Sequence, residues 1–145
     1  MAIVQAILDR KGRAVVTIGV AETALAAAER MNQHGIGGLV VLEGDRIAGI
    51  VTERDILRRV VATKREPAGT RVEEIMSTPV ASCRPGTTFA ECRAFMTAKR
   101  VRHLPVVDET GLCGIVTIGD LLAREVDEHQ ATIEYLSRYI HDGHS

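Results

Sequence analysis

The chain has 145 residues, 46% apolar and 26% charged, the balance of a soluble globular protein that buries a core without disulfides or metal. Its formal net charge of -1 offers no sequence-wide basic field to nucleic acid or an anionic membrane, and 3% aromatics with no Trp exclude a base-stacking platform. No apolar run approaches the roughly 20 residues that span a bilayer. The start MAIVQAILDRKGR lacks the charged, apolar and cleavage regions of a secretory leader, so the expectation is a cytoplasmic protein. The cysteines Cys83, Cys92 and Cys113 are odd in number without CxxC spacing, and read as reduced small hydrophobes rather than a disulfide frame or zinc site.

In chain order, AVVTI (14–18) reads as a short β-branched strand. A helix is predicted from about Thr23 to Gln33, with Ala24, Ala27, Ala28 and Met31 on one face. The runs GLVVLE and IAGIV, separated by Gly44 and Asp45, have the pattern of a hairpin. A helical pattern follows, and the polar ATKREPAGT (62–70) reads as a linker. PVASC (79–83) predicts a second short strand, and Pro85, Gly86, Thr87 and Thr88 supply the loop and N-cap of a helix to about Lys99, with Phe89, Cys92 and Met96 facing inward. LPVVD and LCGIV around Gly111 form a second hairpin. Beyond Leu122 the chain stays helix-compatible to about Ile140, with Ile133, Leu136 and Ile140 as one stripe for packing on the body or on a partner chain.

These elements recur. Shifted by 65 residues, GGLVVLEGDRIAGIVTERDIL (37–57) lies on RHLPVVDETGLCGIVTIGDLL (102–122) without a gap. Leu39, Val41, Gly49, Ile50, Val51, Thr52, Asp55 and Leu57 meet Leu104, Val106, Gly114, Ile115, Val116, Thr117, Asp120 and Leu122. With three extra residues, VQAIL (4–8) also lies on VEEIM (72–76). The chain is therefore a duplication: a first repeat in 1–66, a second in 67–126 and a helical tail in 127–145. Each copy reads βαββα, which makes the fold class mixed α+β. At roughly 60 residues neither copy buries enough surface alone. Packing the sheets by pseudo-twofold symmetry buries both apolar faces and leaves two equivalent clefts.

GIVTERD (49–55) and GIVTIGD (114–120) carry the chemistry: a buried strand, then Thr-x-x-Asp, then a helix. Thr-x-x-Asp is a capping box, and that structural role alone accounts for one occurrence. Its recurrence behind Gly-Ile-Val in both copies supports a second role. A helix start offers N–H groups and a Thr hydroxyl to an anion, and an Asp one turn along accepts both hydroxyls of a ribose. The two roles are compatible in one residue pair.

On these segments, with VEEIM opening the second copy, residues 4–126 resemble a tandem pair of cystathionine β-synthase (CBS) domains, a Bateman module. TERD in the first motif, RHLPV in the second repeat and a tail like TIEYLSRYI are similar to small bacterial CBS-pair proteins. The resemblance implies βαββα repeats, a homodimer, and AMP, ADP, ATP, NAD or S-adenosylmethionine in the clefts. Carried over, Asp55 and Asp120 hold ribose, Thr52 and Thr117 lie near phosphate, and Ile50 and Ile115 flank the base. The Asp120 cleft takes in Val16, Ile36 and Gly37 with Arg102 and His103; the Asp55 cleft takes in Ala81, Val101 and Arg102 with Gly37 and Gly38. Arg102 and His103 would give the Asp120 cleft a cationic pair for phosphate, and it ranks first. Arg54, beside Asp55, either serves the other cleft or points to solvent. Pro105, where the first copy has Val40, fits an edge position.

His103 has no nucleophile motif around it and no second His at metal-ligand spacing, so a ligand-contacting or structural role is expected rather than catalysis. Arg58, Arg59, Lys64 and Arg65 form a basic run that reads as a solvated face. The expectation is a regulatory module without catalytic cofactor, metal, nucleic acid or membrane, reporting a nucleotide to a downstream protein. The alternative is a ligand-free CBS-pair scaffold.

Overall fold

The computed structural model describes residues 2–124; the helix expected in the 127–145 tail lies outside them. Helix α1 (Val4–Lys11) opens the chain, followed by strand β1 (Thr17–Gly19), helix α2 (Ala24–His34) and the hairpin β2 (Gly38–Glu43) and β3 (Arg46–Thr52). The short helix α3 (Glu53–Ile56) runs on through a wider π turn, Leu57–Val61. After a 3-10 turn at Pro67–Gly69 the pattern repeats: helix α4 (Val72–Ile75), helix α5 (Phe89–Lys99), hairpin β4 (His103–Asp108) and β5 (Gly111–Thr117), then helix over 118–124.

Local chemistry sets these boundaries. Thr23 caps α2 by accepting from the Ala26 N–H at 3.0 Å, and Thr88 caps α5 in a full box with Glu91. The C-caps differ: Gly35 sits in the left-handed region at φ 62, and its repeat equivalent Arg100 is forced into the same region at φ 55. Both hairpins carry a register shift at the same place, between Val41 and Leu42 and between Val106 and Val107. In the second hairpin the turn residues are Glu109 and Thr110, held by Asp108 Oδ1 accepting from the Thr110 N–H (2.8 Å) and hydroxyl (2.6 Å), with Gly111 opening β5.

The sheets are unequal. β1 pairs parallel with β2 and β2 antiparallel with β3, whereas β4 and β5 form a two-stranded antiparallel sheet. The strand predicted over 79–83 shrinks to one bridge: the Cys83 N–H donates to the Pro105 carbonyl and the Val107 N–H donates to the Cys83 carbonyl, both at 2.9 Å. The next rung would draw on an N–H at residue 105, which proline does not have. The strand predicted over 14–18 pairs only at 17–19, where β2 runs alongside.

The two cores exchange their opening helices. Val4, Ile7 and Leu8 of α1 pack with Cys83, Phe89, Cys92, Met96, Leu104, Val106, Cys113, Val116 and Leu121, all second-repeat residues. Val72 and Ile75 of α4 pack with Ile18, Ala24, Ala27, Met31, Leu39, Val41, Val51 and Val60 of the first. The motif glycines make room for this crossing. A side-chain carbon on Gly114 would run into Leu8 Cδ2, and one on Gly49 would stand 2.7 Å from Met76 Sδ and 3.1 Å from the Ser77 carbonyl. Leu8 and Met76 are the fifth residues of the aligned VQAIL and VEEIM segments. The basic run is tied to α4 as well: Arg59 donates to the Ile75 and Met76 carbonyls at 3.1 Å, and Arg65 pairs with Glu74 at 2.6 Å.

Candidate nucleotide site

Both Thr-x-x-Asp motifs form capping boxes. Asp55 Oδ2 accepts from the Thr52 N–H (2.9 Å) and Asp120 Oδ2 from the Thr117 N–H (2.8 Å), while each Thr hydroxyl accepts from the N–H of its Asp at 3.4 and 3.1 Å. The structural role is thus present in both copies.

The carboxylates differ in what else they touch. Asp55 is only 8% exposed in its side chain; its Oδ1 accepts from the Ser77 hydroxyl at 3.0 Å and its Oδ2 from the Thr52 hydroxyl at 3.2 Å. Both oxygens are held from within. Asp120 is 23% exposed and, among the described residues, is bonded through Oδ2 alone, to the Thr117 N–H and to Lys11 Nζ at 2.8 Å. Lys11 Nζ also donates to the Ile115 carbonyl at 3.1 Å. The partner from the other repeat is a neutral hydroxyl at Asp55 and an ammonium at Asp120; Asp55 also pairs with Arg59 of its own repeat, at 3.9 Å from Oδ1.

Around Asp120 the structure gathers a compact set of groups. The His103 ring, at the start of β4, lies 3.0 Å from where a side chain on Gly38 would begin. The Glu53 carboxylate covers Gly37, whose carbonyl accepts from the Glu53 N–H at 3.0 Å; the Arg102 carbonyl accepts from the Ile118 N–H in the same way. Burial pushes the His103 imidazole below its ordinary value near 6.5, against the pull of Glu53 and Asp120 and with Lys11 and Arg102 adding to the depression. At neutral pH His103 is therefore uncharged. This corrects the cationic pair expected of Arg102 and His103: positive charge beside Asp120 comes from Arg102 and Lys11, and His103 offers neutral hydrogen bonds.

The remaining expected residues are placed as follows. Ile36 is exposed and, with Gly37, Met31, Glu53 and Ile56, lines a hollow of about 400 Å³ beside the Gly37 end of the site. Val16 is half-buried against the first core and Ala81 against the second. Ile50 is buried and bridges Ser77 through two backbone bonds, whereas Ile115 is half-buried opposite Pro105. Val101, Arg102 and Arg54 are exposed. A wider hollow of about 500 Å³, lined by Arg84, Thr87, Glu91, Asp108 and Thr110 among others, contains no motif residue. Among the described residues no group of three His, Cys, Asp or Glu is placed to hold a metal, and no helix is long and apolar enough to cross a membrane.

Sequence reasoning missed Lys11, Ser77 and Glu53. Lys11 and Ser77 lie far along the chain from the carboxylates they serve, and only the helix exchange brings them there. Glu53 was within reach, as the first residue after a cap that sits against Gly37.

Comparison with known proteins agrees with this architecture. The chain is 36% identical over 128 residues to the mitochondrial CBS domain-containing protein CBSX3 of Arabidopsis thaliana, with 85% of this chain and 62% of that protein covered. The chain thus spans less than two thirds of that relative. A solved protein with CBS domains from Burkholderia ambifaria superposes with a TM-score of 0.84 at 43% identity, covering 87% of this chain and 95% of that one. The CBS domain pair of protein MJ0100, solved with 5'-methylthioadenosine and S-adenosyl-L-methionine, shares the fold at a TM-score of 0.77 and 23% identity, over 88% of this chain and 98% of that one. The family model for the CBS domain matches twice, at residues 9–62 and 72–127, and the chain belongs to the CBS-domain family as a tandem pair.

Proposed function

We propose that this CBS pair is a regulatory module that binds an adenine nucleotide of the AMP, ADP, ATP or NAD type at Asp120 and reports its presence to a partner protein. The observation that carries this reading is the asymmetry of the two motif carboxylates: Asp120 is half-buried with its bonds, among the described residues, confined to one oxygen, whereas Asp55 is closed by Ser77. In the proposed complex the ribose hydroxyls donate to Asp120. Phosphate lies against Thr117, the helix start behind it, Lys11 and Arg102, and the base lies against Ile115 and the Ile36 end of the hollow. That a CBS pair of the same fold was solved with two adenosine compounds supports the ligand class. The module acts as a cytoplasmic homodimer whose dimer geometry responds to the ligand, since a sensor reports only through a difference in affinity for two states.

Thermal unfolding with AMP, ADP, ATP, NAD and S-adenosylmethionine tests this. A ligand at 100 times its Kd adds about 2.7 kcal/mol, a rise of roughly 5 °C or more at this size, and Asp120→Ala abolishes the rise. No shift with any of them refutes it. The second reading, a ligand-free interaction module, is favoured by the Ser77 hydroxyl already seated on Asp55, and such a module shows no shift at either motif.

A further inference from the structure

We infer that Lys11 is the charge-selecting residue of the Asp120 site, making it favour phosphate-bearing adenosine ligands over cationic ones. This rests on the nucleotide reading above and narrows it to one ligand class.

The placement of Lys11 follows from packing. Leu8 is wedged over Gly114 of β5, in the core of the repeat to which α1 does not belong in sequence. Lys11 follows three residues later on the same face of α1, so the wedge delivers its ammonium to the next β5 residue, Ile115. Helix α1 ends there: Gly12, at φ 92, turns the chain away while its N–H donates to the Leu8 carbonyl at 2.8 Å. Among the described residues two of the three ammonium N–H groups are spent, on Asp120 Oδ2 and the Ile115 carbonyl, which leaves the third to donate to a ligand. Lys11 is 33% exposed in its side chain, open enough to be reached and buried enough for its charge to be felt.

The formal charges decide the class. Lys11 pairs with Asp120 at 2.8 Å, and with Arg102 it faces Asp120 and Glu53 around His103, so removing Lys11 takes one positive charge from beside the Asp120 carboxylate. Phosphate and pyrophosphate are favoured with Lys11 in place and disfavoured without it; a sulfonium ligand behaves in the opposite sense. The first motif is built differently. The residue aligned with Lys11 through the opening segments is Pro79; Asp55 receives the Ser77 hydroxyl, and the cation paired with it is Arg59 of its own repeat, 3.9 Å from Oδ1 and already donating to the Ile75 and Met76 carbonyls.

The test is isothermal titration calorimetry of AMP and S-adenosylmethionine on wild type, Lys11→Met and Lys11→Arg, with circular dichroism to confirm that each variant folds. Loss of one charge-assisted contact predicts that K11M binds AMP about ten- to hundredfold more weakly, while K11R stays within about threefold of wild type and S-adenosylmethionine gains or is unchanged on K11M. An unchanged AMP affinity in K11M overturns the inference and leaves the nucleotide reading standing. Equal weakening of both ligands also overturns it, because Lys11 then only positions Asp120. Wild type that binds no adenosine compound overturns both.

Discussion

Asp55→Ala and Asp120→Ala remove the same atoms from equivalent places in the two repeats, yet the structure makes their costs unequal. At Asp55 the loss orphans the Thr52 N–H and the Ser77 hydroxyl in a site where the carboxylate was 8% exposed. Each hydrogen bond to a charged group contributes about 1.5–3 kcal/mol. Relief of the carboxylate's own burial offsets part of that, and a net loss of about 3 kcal/mol remains. At Asp120 the loss is one capping bond, about 1 kcal/mol, plus a half-exposed pair with Lys11 that contributes about 0–1 kcal/mol. Equilibrium urea unfolding of both variants, followed by far-UV circular dichroism, should place D55A about 2 kcal/mol below D120A. Repeating it with saturating AMP should widen the wild-type advantage over D120A and leave the D55A gap almost unchanged. A D120A cost equal to or above that of D55A would refute the assignment of Asp55 to structure and Asp120 to ligand.

Two further outcomes follow from the same geometry. Arg100→Gly should raise stability by about 0.5–1 kcal/mol, because a left-handed L-residue costs about 1–2 kcal/mol and the added chain entropy of glycine returns part of it; a lower Tm would show that Arg100 makes a compensating contact. His103 has a folded-state pKa below its unfolded value of about 6.5, so the unfolded chain takes up the proton first as pH falls. The His103 contribution is therefore flat at neutral pH and makes stability decline as pH falls below about 6.5, before the carboxylates Glu22, Glu74 and Asp108, held low by their own hydrogen bonds, begin to titrate. Thermal scans between pH 5 and 7.5 should show this slope in wild type and a shallower one in His103→Gln; identical slopes would remove His103 as its source.

What the sequence determined by itself was the repeat and much of what depends on near neighbours. The duplication was legible as a shift of the whole pattern along the chain, while the cap at Thr88, both hairpins and the two capping boxes rest on spacings of two to four residues, and each stands where the pattern put it. The shortfall of the second short strand was legible in part, since Pro105 takes away a ladder N–H, though which rung it cancels requires the register. The tertiary structure alone decided which apolar face covers which. The stripe Val4, Ile7, Leu8 declares that it must be buried, but nothing in its pattern names the second repeat's core rather than the first. That choice carries Lys11 to Asp120 and Ser77 to Asp55, and so makes two nearly identical motifs chemically unlike. Hydrophobic burial is non-directional and reads area, whereas the position of a single ammonium or hydroxyl depends on the particular packing that satisfies it.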